Sequence, residues 1–202
     1  MALNRRDALK ALASAPAAAA AAITWTQADA LEATIAAHGA RQAATQAQTP
    51  YAPRFFTPHQ WATIGVLVDL IIPKDEKSGG ATEAGVPEFM DFMMVDQPTR
   101  QTAMRGGLAW LDHEAQRRAD KTFVASTDAE RRALLDAIAW PNRKVAPELQ
   151  YGVTFFNMFR DLTASGFYTS RIGMDDLEFI GNTFVLNWKG CPPEWLKKLG
   201  VG

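Results

Sequence analysis

The segment Phe55-Phe56-Thr57-Pro58-His59-Gln60-Trp61, which runs on through ATIGVLVDLII to Pro73, limits the fold more than any other part of this chain. Thr57 carries the hydroxyl that an N-cap needs, Pro58 has the fixed φ suited to a first helical turn, and Gln60 stands where its amide completes a capping box. Pro73 has no amide proton and crowds the turn before it, so the helix ends there. Between those signals the residues are apolar almost all round, which predicts a helix buried at the centre of a domain. Such a helix has to be covered, and the rest of the sequence supplies further helices. Val86 to Met94 spaces Phe89, Phe92 and Met93 at helical intervals, and Thr99 to Asp120 places Met104, Leu108 and Leu111 on one side. Thr127-Asp128-Ala129-Glu130 is a second capping box, ahead of Leu134, Leu135 and Ile138. After Pro147 a long element presents Val153, Phe156 and Phe159 along one face, with Phe155 and Met158 beside them, and ends at Gly166. Shorter helices are predicted around Met174 to Ile180 and after Pro192-Pro193. The sequence has no sustained period-two alternation and no internal repeat. The expected fold is therefore all-α: a compact multi-helix domain over 55–202 with an irregular, aromatic-rich C-terminal segment.

Upstream of that domain the chain reads differently. MALNRRDALKALASAPAAAAAAITWTQADA has a positive start, a weakly apolar run and small residues at Ala28-Asp29-Ala30, which are the three parts of an export signal over 1–30 with a cleavage site at its end. The apolar run is shorter than the roughly 20 residues needed to span a bilayer and contains Pro16. Arg5 and Arg6, followed by Leu9 and Lys10, resemble the twin-arginine signal, which serves the translocase that passes folded proteins to the periplasm. Residues 31–54 are rich in Ala, Gln and Thr with few large apolar side chains, so they are expected to form a flexible arm.

Composition narrows the function classes. With 21 basic and 22 acidic residues the chain is nearly balanced, and it has no basic run, so nothing points to nucleic acid. The single Cys191 excludes an intrachain disulfide framework and a thiolate metal cage. His38, His59 and His113 show no ligand spacing, and the chain has no dinucleotide glycine fingerprint and no CxxCH haem attachment motif. Asp69 interrupts an apolar run and reads as the cap of a neighbouring loop or as a functional acid. Asp75, Glu76 and Glu83 read as a solvated loop ahead of a divalent-cation site, and Ser78-Gly79-Gly80 as a turn rather than a phosphate loop. Met90, Met93 and Met94 read as core ahead of a haem-facing or membrane-facing surface.

The aromatic residues of the C-terminal segment, Phe167, Tyr168, Phe179, Phe184, Trp188 and Trp195, exceed what a glycine-rich stretch can bury. They either close the core of an irregular cap or form an interface, with Tyr168, Trp188 and Trp195 as candidate anchors. Cys191 lies among Gly190, Pro192 and Pro193, hence in a loop. An unpaired thiol in an oxidising compartment points to an interchain disulfide, the alternative being a small buried residue packed as a hydrophobe.

The stretches FFTPHQWATIGVLVDLIIPKDEKSGGATEAGVPEFMD and FRDLTASGFYTSRIGMDDLEFIGNTFVLNWKGCPPE resemble the gluconate 2-dehydrogenase subunit 3 family, most specifically in the Thr-Pro start, the Ile-Ile-Pro stop, the Gly-Gly-Ala loop and the Gly-Phe-Tyr-Thr-Ser and Gly-Cys-Pro segments. The resemblance implies a noncatalytic small subunit of a periplasmic sugar or polyol dehydrogenase. Its expected partners are a large catalytic subunit of the glucose-methanol-choline family carrying FAD and, in some complexes, a multihaem cytochrome c. No cofactor is expected in this chain itself. The competing expectation is an independent periplasmic carbohydrate-binding protein or enzyme that uses Asp69 or the C-terminal aromatics.

Overall fold

The computed structural model describes residues 27–46, 51–140, 144–179, 181, 186–187 and 190–201. Among these residues the regular structure is helical: α1 (Gln27–Gln46), α2 (Pro58–Ile71), α3 (Val86–Asp96), α4 (Gln101–Ala119), α5 (Asp128–Asp136), α6 (Gln150–Tyr168), α7 (Arg171–Asp176) and α8 (Pro193–Leu199). Short 3-10 turns, Pro98–Arg100 and Pro147–Leu149, lead into α4 and α6. The helix starts read from the sequence are made by the chemistry invoked for them. Thr57 accepts from the Gln60 amide while Gln60 caps the Thr57 amide in return, and Thr127 and Glu130 do the same for α5.

The centre of the domain is α3, not α2. Val86 through Met94 is buried at every position but Phe92, and α3 touches α1, α2 and α6. In α2 only Thr63, Ile64, Leu67 and Val68 are buried. Val66, Leu70 and Ile71 stay half-buried, so the expected central helix is a flanking one. Both helices are rich in apolar residues, and which of them becomes central depends on what packs around each.

Of residues 31–54, expected to be a flexible arm, those up to Gln46 are helical. Gln27–Gln46 is a helix whose Ala30, Ala33, Thr34 and Ala37 are buried against the domain, and α3 is its main neighbour. Alanine has the highest helix propensity, and a stripe of small side chains lets two backbones approach closely, so little large apolar surface is required. Thr34 Oγ1 lies 2.7 Å from Thr169 Oγ1, and Arg41 donates to the Glu83 carbonyl at 2.9 Å and lies 3.4 Å from the Glu88 carboxylate.

The strap that enters α2 is held by one carboxylate. Asp91, fully buried in α3, accepts from the Tyr51 hydroxyl at 3.0 Å and from the amides of Arg54 and Phe55 at 2.8 and 2.9 Å. These bonds satisfy a charge that would otherwise be costly to bury. Burial, then the neighbouring Asp91 carboxylate, push the Tyr51 hydroxyl well above the ordinary phenol range, so it remains a donor.

Helices α4 and α6 interlock through glycine. A Cβ at Gly107 would stand 1.8 Å from Phe155 Cδ2, and a Cβ at Gly152 would stand 2.1 Å from Trp110 Cη2. Each helix thus offers a glycine to the other's aromatic ring, three residues from its own.

Candidate functional site

The loop Pro73–Ala81 and the turn from α6 into α7 carry the most specific parts of the family resemblance, and the structure brings them to the same end of the molecule. Lys77 Nζ donates to the Asp176 carbonyl and lies 3.5 Å from Asp176 Oδ1 and 3.9 Å from Glu178 Oε1. The loop is closed from within: Asp75 Oδ1 accepts from the Lys77 and Ser78 amides at 2.8 Å, the Ala81 amide donates to the Ile72 carbonyl at 3.0 Å, and Lys74 pairs with Glu83 at 2.9 Å. Those two amide bonds hold the Asp75 carboxyl below its usual range. Asp69 Oδ1 accepts from the Thr82 amide at 2.8 Å and stands 3.1 Å from where a Gly80 Cβ would be. It is the cap of that neighbouring loop, and a side chain at Gly80 would be tight against that carboxylate and the Lys74 amide nitrogen.

In the α6–α7 turn the shared residues are architectural. Gly166 receives the Phe89 ring, and a Cβ at Gly173 would stand 2.0 Å from the Phe167 carbonyl oxygen. Ser170 caps α7 by accepting from the Gly173 amide at 3.1 Å and donates to the Phe167 carbonyl at 2.6 Å.

Beside these charged groups, this end also presents apolar side chains to water. Tyr168, Leu177 and Phe179 are exposed, Phe179 by 64%, whereas Phe167 is buried. Further along, Trp195, Leu199 and Val201 are exposed on and after α8, with the Lys198 ammonium 4.6 Å from the centre of the Trp195 ring. The aromatic excess of the C-terminal segment is therefore divided. Phe167 joins the core, while Tyr168, Phe179 and Trp195 face solvent. Cys191 is exposed beside α8, so within this chain its thiol is accessible and not packed as a hydrophobe. Trp188 and Phe184 lie outside the described residues, as do Arg5, Arg6, Leu9 and Lys10.

Most of the remaining candidates have structural roles. Met90, Met93 and Met94 are fully buried, so they face neither haem nor membrane. His59 Nε2 lies 2.6 Å from Asp112 Oδ2, whose other oxygen accepts from the Phe123 amide at 2.9 Å, which ties the start of α2 to α4 and the loop after it. His113 and His38 are exposed. Among the described residues no group of three metal-ligating side chains is assembled, and no helix is long and apolar enough to cross a membrane. Asp91 and Glu114 are buried acids that the sequence does not single out. Glu114 accepts from Arg117 at 2.6 Å and from Arg118 at 2.6 Å, and the Arg117 bond is the first cause holding its carboxyl down at about 2.

The family model for gluconate 2-dehydrogenase subunit 3 matches residues 58–189, from the first turn of α2 to just short of Cys191. No curated protein and no solved structure matches the chain.

Proposed function

The chain belongs to the gluconate 2-dehydrogenase subunit 3 family, a subunit of a dehydrogenase complex, and we propose that in such a complex it is the noncatalytic small subunit, which escorts a folded catalytic subunit to the periplasm and stabilises it there. The catalytic partner is a large FAD-bearing subunit that oxidises a sugar or polyol, and a multihaem cytochrome c is a third component where one is present. The twin-arginine translocase recognises Arg5 and Arg6. One signal then serves both chains, because a flavoprotein that takes up FAD in the cytoplasm has to cross already folded.

The observation that carries this reading is the exposed apolar side chains at Tyr168, Leu177 and Phe179, within the stretch that the family model matches, and at Trp195 and Leu199 just beyond it. Aromatic residues of this kind act as interface anchors, and covering them with a partner removes apolar surface from water. The sequence supports the reading from the other side, since it has neither a dinucleotide fingerprint nor a haem attachment motif of its own.

The test is to replace Arg5 and Arg6 together by Lys in the native host, which keeps the charge but removes the paired guanidinium groups. Both this chain and the flavoprotein should then stay in the cytoplasm. Normal export of the flavoprotein would contradict the escort role.

A further inference from the structure

The small residues Ala28-Asp29-Ala30 satisfy the cleavage rule of an export signal, yet they form the first turn of α1. Ala30 is 6% exposed, and its carbonyl accepts from Thr34 Oγ1 at 2.8 Å, while the same Thr34 hydroxyl reaches Thr169 at the end of α6. Asp29 carries a negative charge that favours the charged form of Arg100, a buried guanidinium, 3% exposed, at the entrance to α4. Through Thr34 this first turn is tied to the end of α6 as well as to the rest of α1.

A cut after Ala30 would divide the first turn of α1 at a buried residue, separate the Ala30 carbonyl from the Thr34 hydroxyl and remove the Asp29 charge that favours Arg100. It would also create a positive α-amino group at Leu31, at the positive end of the shortened helix and two residues from where Asp29 had stood. Proteases cut exposed and flexible segments, and a folded helix with a buried residue at the scissile bond offers neither property. On the export reading above, the chain is folded before it meets the peptidase.

We infer that α1 is kept whole in the mature chain, so that any cut falls at or before Gln27 and Ala28-Asp29-Ala30 is not the processing site. The inference rests on the export reading only for the existence of a cut. Upstream, Ala20-Ala21-Ala22 offers small residues of the same kind.

Intact-mass analysis of the chain isolated from its native host, with periplasm and cytoplasm kept apart, tests this. The expected N-terminus lies at or before Gln27, and a mature chain beginning at Leu31 overturns the inference. A chain found uncut in the cytoplasm refutes the export reading but leaves α1 entire, as inferred. A variant provides a second test: Ala28 is exposed, so Ala28→Leu leaves the packing of α1 intact while placing a large residue where cleavage after Ala30 requires a small one. The amount and mass of the processed chain, corrected for the substitution, should be unchanged. A severalfold accumulation of precursor would show that the cut does fall after Ala30.

Discussion

Replacing Gly107 by Ala tests the interlock of α4 and α6. Both Gly107 and Gly65 lie inside helices, and in either place alanine gains about 1 kcal/mol of helix propensity over glycine. Their surroundings differ. A Cβ at Gly65 meets nothing within 4 Å, whereas a Cβ at Gly107 falls 1.8 Å from one carbon of the Phe155 ring and 2.3 Å from another. Phe155 is itself 4% exposed and stands 5.6 Å, centre to centre, from the Phe159 ring, so it has no free space to move into. Overpacking of this sort costs typically 1–3 kcal/mol, and a contact inside the ring's own van der Waals radius belongs at about 3. Gly107→Ala is then destabilising by roughly 2 kcal/mol, which in a chain of this length lowers Tm by roughly 4–8 °C, while Gly65→Ala raises it by roughly 2–4 °C. Thermal unfolding of the purified chains followed by circular dichroism reads both shifts. Gly107→Ala with Phe155→Leu should lose less than the sum of the two single changes, because the second removes the ring that the first strikes. A Gly107→Ala protein that melts at or above the wild-type temperature would refute the interlock.

Two other expectations concern charge and the thiol. The Glu114 carboxyl is held at about 2 against an ordinary value of 4.5, chiefly by its bond from Arg117, so its contribution to stability is present above pH 4.5 and is lost as pH falls toward 2. Unfolding midpoints of Glu114→Gln should accordingly vary less than wild type between pH 5 and 2, and an unchanged slope would contradict the pairing. For Cys191, exposed beside α8, nonreducing gels of the native complex should show a covalent band with the catalytic partner that collapses on reduction and is missing in Cys191→Ser. That variant should lower the heat resistance of the complex more than its turnover. Two separate bands with Cys191 recovered as free thiol would count against the bond.

Where structure follows from chemistry within a few residues, the sequence was sufficient. The capping boxes at Thr57 and Thr127, the stop at Pro73 and the buried faces of α4, α5 and α6 all rest on neighbours along one helix. Helix α1 was missed because apolar periodicity is judged from large side chains. The spacing that mattered was that of Ala30, Ala33 and Ala37, at three and four residues, and an alanine stripe between polar residues looks like a linker until a close-packed neighbour is known. Asp91 was not legible for another reason: its donors lie 36 to 40 residues earlier in the chain, and only the fold brings the strap to it. The same holds for the interface candidates. The aromatic excess near the C-terminus was visible, but adjacent rings part company at the end of α6, where Phe167 enters the core and Tyr168 faces solvent, and that depends on which face of the helix its neighbours cover.

The central claim is that this chain works as the small subunit of a flavin-dependent dehydrogenase. Its most direct test is to purify the tagged chain from the periplasm of its own host without reductant, then record the flavin spectrum, the masses of the co-purifying chains and dehydrogenase activity toward sugars and polyols. The account predicts a stoichiometric complex with a large flavoprotein, in which flavin and activity stay with the large chain when the two are separated. A monomeric chain recovered alone, or one that keeps flavin and activity after the large chain has been removed, would contradict it.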